Sequence, residues 1–148
     1  MGSIKDYLSH DHHQCDDLFV AAENAVSDGD MAAGEKCFEA FRRGMKEHFS
    51  MEETVMFPAF EDVAGMTDGP TELMRAEHAQ MREVFGLMQS AIGMNHAEEY
   101  LGLSETLLMI MQQHNFKEEQ ILYRMADNVL GAEAEDIVER MKALDVPV

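Results

Sequence analysis

The sequence contains no tryptophan and few aromatic residues of any kind, 7% of the chain, set against 14 methionines. Sheet proteins draw on rings and β-branched side chains, so this composition favours packed helices. Basic residues are also scarce: 11 lysines and arginines face 29 aspartates and glutamates, for a net charge of −18. A surface of that sign repels a phosphate backbone, which argues against nucleic acid as a partner. No apolar run reaches the roughly 18 residues that a membrane-crossing helix needs. The opening Met1-Gly2-Ser3-Ile4-Lys5-Asp6 has no basic stretch followed by an apolar one. No membrane partner and a cytoplasmic location are therefore expected. Only two cysteines occur, Cys15 and Cys37, and both fall on apolar helix stripes. An antiparallel hairpin about Gly29 would hold them roughly 9 Å apart along its axis. That is beyond disulfide reach, so reduced thiols are expected.

What the chain does contain is a histidine and a carboxylate where a core should be. In His48-Phe49-Ser50-Met51-Glu52-Glu53-Thr54-Val55-Met56-Phe57, His48 and Glu52 lie four apart, on one helix face and one turn away from each other. The rest of that face reads Cys37, Phe41, Met45, Val55, Ala59. A buried carboxylate needs a partner, so something must neutralise Glu52. The pattern then recurs at an offset of 66 residues, from His48 to His114 and from Glu52 to Glu118. The same offset relates Glu53 to Glu119, Phe57 to Tyr123, His12 to His78 and Phe19 to Phe85. The chain thus reads as two copies of one helical hairpin, each with a lone histidine on its first helix and an HxxxE on its second.

Periodicity and breakers place the elements. Ser3, with Asp6 three residues on, resembles a capping box, and a first helix to about Ser27 puts Ile4, Leu8, His12, Cys15, Phe19, Ala22 and Val26 inward. Asp28-Gly29-Asp30 is a turn. A second helix runs from about Asp30 to Asp62, with Pro58 expected to kink it or loosen its last turn. Pro70 opens a third helix carrying Met74, His78, Met81, Phe85, Met88 and Ile92, which ends at Gly93-Met94-Asn95. A fourth, from about His96 to Val129, carries Leu103, Leu107, Met111, His114, Glu118, Ile121 and Met125. A shorter fifth, at 132–144, shows Ile137, Val138, Met141 and Leu144 on one face, with Pro147 beyond it, and would serve as a lid, a brace or an interface. The expectation is one all-α domain over 1–148: an up-down-up-down four-helix bundle at 3–129 plus the C-terminal helix.

In that topology His12, His48, Glu52, His78, His114 and Glu118 fall at one height. A single histidine on an apolar face is ordinarily a hydrogen-bonded core residue. Four of them with two glutamates, amid Met, Phe, Leu and Ile, need cations. Imidazole and carboxylate suit iron, manganese or zinc, and carboxylates from opposing helices can bridge two ions. A structural zinc site would use four ligands, often with cysteine, so six ligands point to two ions and a reactive site. Ferritin-like sites are marked by Glu-x-x-His, and no histidine here has a glutamate three residues before it.

The segments Asp11-His12 followed by Cys15-Asp16-Xaa-Leu18-Phe19, then His48-Xaa3-Glu52-Glu53, Glu77-His78 and His114-Xaa3-Glu118-Glu119, resemble the hemerythrin-like family, or HHE cation-binding domain, over residues 4 to about 126. The resemblance implies a non-haem di-iron centre, two Fe2+/Fe3+ ions bridged by two carboxylates and an oxo or hydroxo group. Such a centre would react with dioxygen, peroxide or nitric oxide. Carried over, the ligands are His12, His48, Glu52, His78, His114 and Glu118. Oxygen carriers of the family place a fifth histidine where this chain has Arg82, and an aspartate where it has Glu119. The set is thus closer to bacterial di-iron proteins that respond to nitric oxide and repair iron-sulfur clusters. Three functions remain open: binding or sensing a small oxidant, enzymatic turnover of peroxide or nitric oxide, and iron donation.

Around the ligands, His13 lies about 100° off the stripe, and its counterpart in the repeat is Ala79. His12 is therefore preferred. His10 and His96 are expected in solvent. Asp11, Asp16, Glu47 and Glu77 are candidates to hold the second imidazole N–H. The methionines are expected to be packing and Cys15 an inert core thiol.

Overall fold

Ser3 starts the first rod: its Oγ accepts the amide N–H of Asp6 at 2.9 Å, and helix α1 follows as Ile4–Ser27. A second cap comes from the other end of the chain, where the Asp127 carboxylate accepts the N–H groups of Ile4 and Lys5 at 2.8 and 3.1 Å. Gly29 turns the chain at φ +84, and Asp30 caps α2, Met31–Met51, by accepting the Ala33 N–H. The two helices pack closely near this turn. A Cβ at Gly34 would lie 2.6 Å from Val26 Cγ2, so only glycine permits the approach. The remaining helices are α3 (Phe57–Ala64), α4 (Pro70–Gly93), α5 (Ala97–Lys117), α6 (Tyr123–Leu130) and α7 (Ala134–Lys142). This computed structural model describes residues 2–66 and 68–146, which are helical with no strand.

Four long rods result: α1, α2 continued by α3, α4, and α5 continued by α6. They alternate in direction, α1 packing on α2 and α5, and α4 on the same two. Two apolar clusters fill the bundle. One gathers Ile4, Leu8, Phe57, Phe60, Met74 and Leu122 with Ile137, Val138 and Met141 of α7. The other gathers Phe19, Phe38, Phe41, Phe85 and Tyr100. The first helix shows what lies between them, since Leu8 belongs to one cluster, Cys15 to the other and His12 separates the two. Of the roles open to α7, the structure supports the brace: its apolar face closes the first cluster. A 3₁₀ turn, Gly131–Glu133, precedes it, so its α-helical part begins two residues later than expected. Pro147 lies outside the described residues.

The second and fourth rods depart from the expected pattern in the same way. Each contains a π-helical turn immediately after its HxxxE, Glu52–Met56 and Glu118–Leu122. The Phe57 N–H donates to the Glu52 carbonyl, five residues back, and the Tyr123 N–H does the same to Glu118. Pro58 is not the cause. It sits in the first turn of α3, and the second copy forms the same turn with Arg124 at the equivalent place. A π turn inserts one residue without advancing the helix face, so the inward stripe shifts beyond it. Phe57 and Phe60 are buried where Ala59 was expected, and Leu122, Tyr123 and Ala126 replace Ile121 and Met125. Ile121 is 51% exposed. Two smaller corrections lie before the turns. Cys37 is only half-buried because the α2 face centres on Phe38, and Leu103 gives way to Tyr100 and Ser104. Ser104 is satisfied by donating to Glu23 of α1 at 2.6 Å.

Candidate metal centre

Between the two apolar clusters all six expected residues converge, none more than 3% exposed: His12 from α1, His48 and Glu52 from the second rod, His78 from α4, His114 and Glu118 from the fourth. The imidazoles turn Nε2 inward. His78 Nε2 lies 3.0 Å from Glu52 Oε1, and His12 and His114 Nε2 lie 3.1 and 3.2 Å from Glu118 Oε1. Donor atoms bound to one ion at about 2.0–2.1 Å sit roughly 3 Å apart when they subtend a right angle. Two groups have ligand atoms all within 4.8 Å of one another: Glu52, His78, His114 and Glu118, and His12, His48 and Glu118.

The outward nitrogens follow a single rule. His12 Nδ1–H donates to Glu119, His48 to Asp11 and His78 to Glu53, each at 2.7 Å, and His114 donates to Glu77 at 2.8 Å. The offset of the repeat maps each bond onto another, Asp11 to Glu77 and Glu53 to Glu119. A proton held on Nδ1 leaves Nε2 as a lone pair aimed at the centre. Asp11 and Glu77 are as expected, while Asp16 and Glu47 make no hydrogen bond to a site histidine. Glu53 and Glu119 were overlooked, although the doubled glutamate in both HxxxE segments was the available signal. The position of the absent fifth histidine has its own use: Arg82 donates to both oxygens of Glu53, at 3.0 and 2.8 Å. Lys117 likewise donates to Glu77. No cation clamps Asp11 or Glu119 among the described residues.

Electrostatics are set by burial against these pairings. Desolvation is the largest influence on His12, His48 and His78 and lowers their pKa. The surrounding carboxylates together overcome it, raising all three above the ordinary value, His78 to about 9. Glu52 is held well below the usual carboxylate range: its burial acts upward, but His48, Glu118 and His78 outweigh it. Burial likewise acts upward on Glu53, and His78 and Arg82 bring it down to about 2.

One residue was missed altogether. The hydroxyl of Tyr123 donates within reach of Glu52 Oε2 at 2.6 Å and Glu118 Oε1 at 2.9 Å, with His12 Nε2 at 3.2 Å and His48 Nε2 at 3.4 Å. The α-helical stripe did not include position 123; the π turn rotates it inward. Among the described residues, four buried atoms of this layer make no hydrogen bond: Glu52 Oε1, His78 Nε2, His114 Nε2 and Glu118 Oε2. Orphaned lone pairs in a dry layer cost several kcal/mol unless a cation takes them, so the donor set fits metal ions.

The family model for the hemerythrin HHE cation-binding domain matches residues 3–126. The chain belongs to the hemerythrin HHE family. No curated protein and no solved structure gives a significant match. Membership accounts for the bundle and for cation binding as the general property of this centre. His10 and His13 are exposed, and His96 pairs with Glu99 at the surface, so the remaining histidines take no part.

Proposed function

We propose that this hemerythrin-family chain holds two iron ions through His12, His48, Glu52, His78, His114 and Glu118, and binds or senses a small oxidant such as dioxygen, peroxide or nitric oxide. The observation that carries the reading is the group of four orphaned lone pairs in a layer of four imidazoles, each fixed by a carboxylate on its other nitrogen. When bound, the iron pair would supply one-electron redox change and a coordination position for an outside molecule.

The chain's own residues set the conditions. Glu52 and Glu118 would supply carboxylate oxygens and negative charge to the ions. Asp11, Glu53, Glu77 and Glu119 lock the rings in the orientation that presents Nε2. Phe49 stacks on His78 at 3.9 Å between ring centres and Phe57 at 5.8 Å, and these rings exclude water from that side. With the six residues at most 3% exposed, a bulky substrate could not reach them without opening the bundle. That restriction supports a diatomic or a peroxide over a larger substrate.

The test is metal analysis with absorption spectra before and after aeration of anaerobically loaded protein. About two irons per chain and a visible band on aeration are expected. A chain that takes up no iron anaerobically ends the reading. Consumption of one equivalent of oxidant per centre marks a carrier or sensor, and many equivalents mark an enzyme.

A further inference from the structure

The six candidate ligands of the two halves match in kind, His12 with His78, His48 with His114 and Glu52 with Glu118, but beside them Phe57 in the first copy corresponds to Tyr123 in the second. Phe57 offers no donor atom, and its ring packs against His78. Tyr123 brings an oxygen to 3.2 and 3.4 Å from the Nε2 atoms of His12 and His48, to 2.9 Å from Glu118 Oε1 and to 2.6 Å from Glu52 Oε2, and it meets neither His78 nor His114 Nε2. These are separations found between donors that share one ion, as among the six ligands themselves. The orphaned atoms divide the same way. His12 and His48 Nε2 are met by the hydroxyl, whereas His78 and His114 Nε2 make no hydrogen bond and face only the carboxylates of Glu52 and Glu118, at 3.0 and 3.2 Å.

We infer that Tyr123 Oη is a seventh protein donor, bound to the ion of the His12/His48 half alone, so that the open position for an outside molecule lies on the ion of the His78/His114 half. Coordination forms one oxygen–metal bond and breaks the phenol O–H, releasing one proton per chain to solvent. The inference rests on the two-iron reading above and adds that the pair is unequal. The cation clamps reinforce that inequality, since Arg82 and Lys117 neutralise the carboxylates behind His78 and His114 only.

The experiment loads metal-free wild type, Tyr123→Phe and Phe57→Tyr with ferrous iron under argon. Each is then oxidised with stoichiometric ferricyanide, and iron content, the visible phenolate-to-iron(III) charge-transfer band and azide binding are recorded. Expected are a band in the wild type, its loss in Tyr123→Phe with iron content retained through the six other donors, and roughly doubled absorbance with blocked azide binding in Phe57→Tyr. A fully loaded wild type without the band, or a Tyr123→Phe variant that keeps it, overturns the assignment of the donor. Azide binding undiminished in Phe57→Tyr, with the second phenolate present in the spectrum, overturns the assignment of the open position. Wild type that takes up no iron defeats the two-iron reading itself, a result distinct from any of these.

Discussion

Replacing Asp11 by alanine probes how far a carboxylate outside the ligand set controls metal affinity. Asp11 Oδ2 accepts the Nδ1–H of His48 at 2.7 Å, and His48 is only 1% exposed. Two independent routes give the size of the effect. A buried N–H left without an acceptor costs about 1–3 kcal/mol. A carboxylate that orients a metal-bound imidazole is worth about 10–100-fold in affinity, or about 1.4–2.7 kcal/mol. Asp11→Ala should therefore weaken Co2+ or Zn2+ binding roughly 10–100-fold in competition with a chelator at fixed pH and ionic strength. Asp11→Asn keeps an acceptor oxygen and should fall between the variant and the wild type. Asp16→Ala is the control: Asp16 is a neighbouring acid that makes no hydrogen bond to a site histidine, and a screened charge alone should change affinity by less than about twofold. Binding by Asp11→Ala within about twofold of wild type, or equal weakening by Asp16→Ala, would refute the argument that the hydrogen bond is what matters.

Phe41→Ala should destabilise the protein by about 3–5 kcal/mol in urea unfolding, since Phe41 is fully buried and meets Phe19 and Phe85 edge to face at 5.4 and 5.6 Å. Glu61 receives hydrogen bonds from Arg75 and Thr71 where the second rod meets α4. Burial acts to raise its pKa, but these partners outweigh it and the net shift is downward. A carboxylate with a lower pKa folded than unfolded adds stability above its unfolded pKa and loses it as pH falls through the folded one. Glu61→Gln should thus cost about 0.2–1 kcal/mol at pH 7, and the difference from wild type should close as pH falls below the ordinary carboxylate range when the two are unfolded side by side in acid. Burial, with help from Asp11, Asp16 and Glu47, pushes the Cys15 thiol up to about 12, whereas Cys37 is half-buried. A thiol reagent at pH 8 should modify Cys37 first and Cys15 only on unfolding, as peptide mass mapping would report.

The local pattern carried the helices and the convergence of the six His and Glu residues because both are periodic. The stripe Ile4, Leu8, His12, Cys15, Phe19, Ala22, Val26 is the buried face of α1 without exception, and α4 follows its expected stripe equally well. Helical geometry fixes which side chains share a face, and the repeat supplied the common height. Where the helix changes period, that logic stops. The π turns at Glu52–Met56 and Glu118–Leu122 have no breaker in common, so Ile121 was placed inward and Tyr123 was overlooked.

By itself the sequence determined an all-helical bundle with two related halves and the identity of the six residues that meet in it, because these depend on spacing along one chain and on the cost of burying charge. Tertiary structure decided everything that depends on which rod faces which. It chose Asp11, Glu53, Glu77 and Glu119 over Asp16 and Glu47 as partners of the imidazoles, since each bond joins two different rods. It put Asp127 on the start of α1, 123 residues away. It also turned a tyrosine into the centre where the other half has a phenylalanine, because only the packed helix shows that one extra residue per turn has rotated it there.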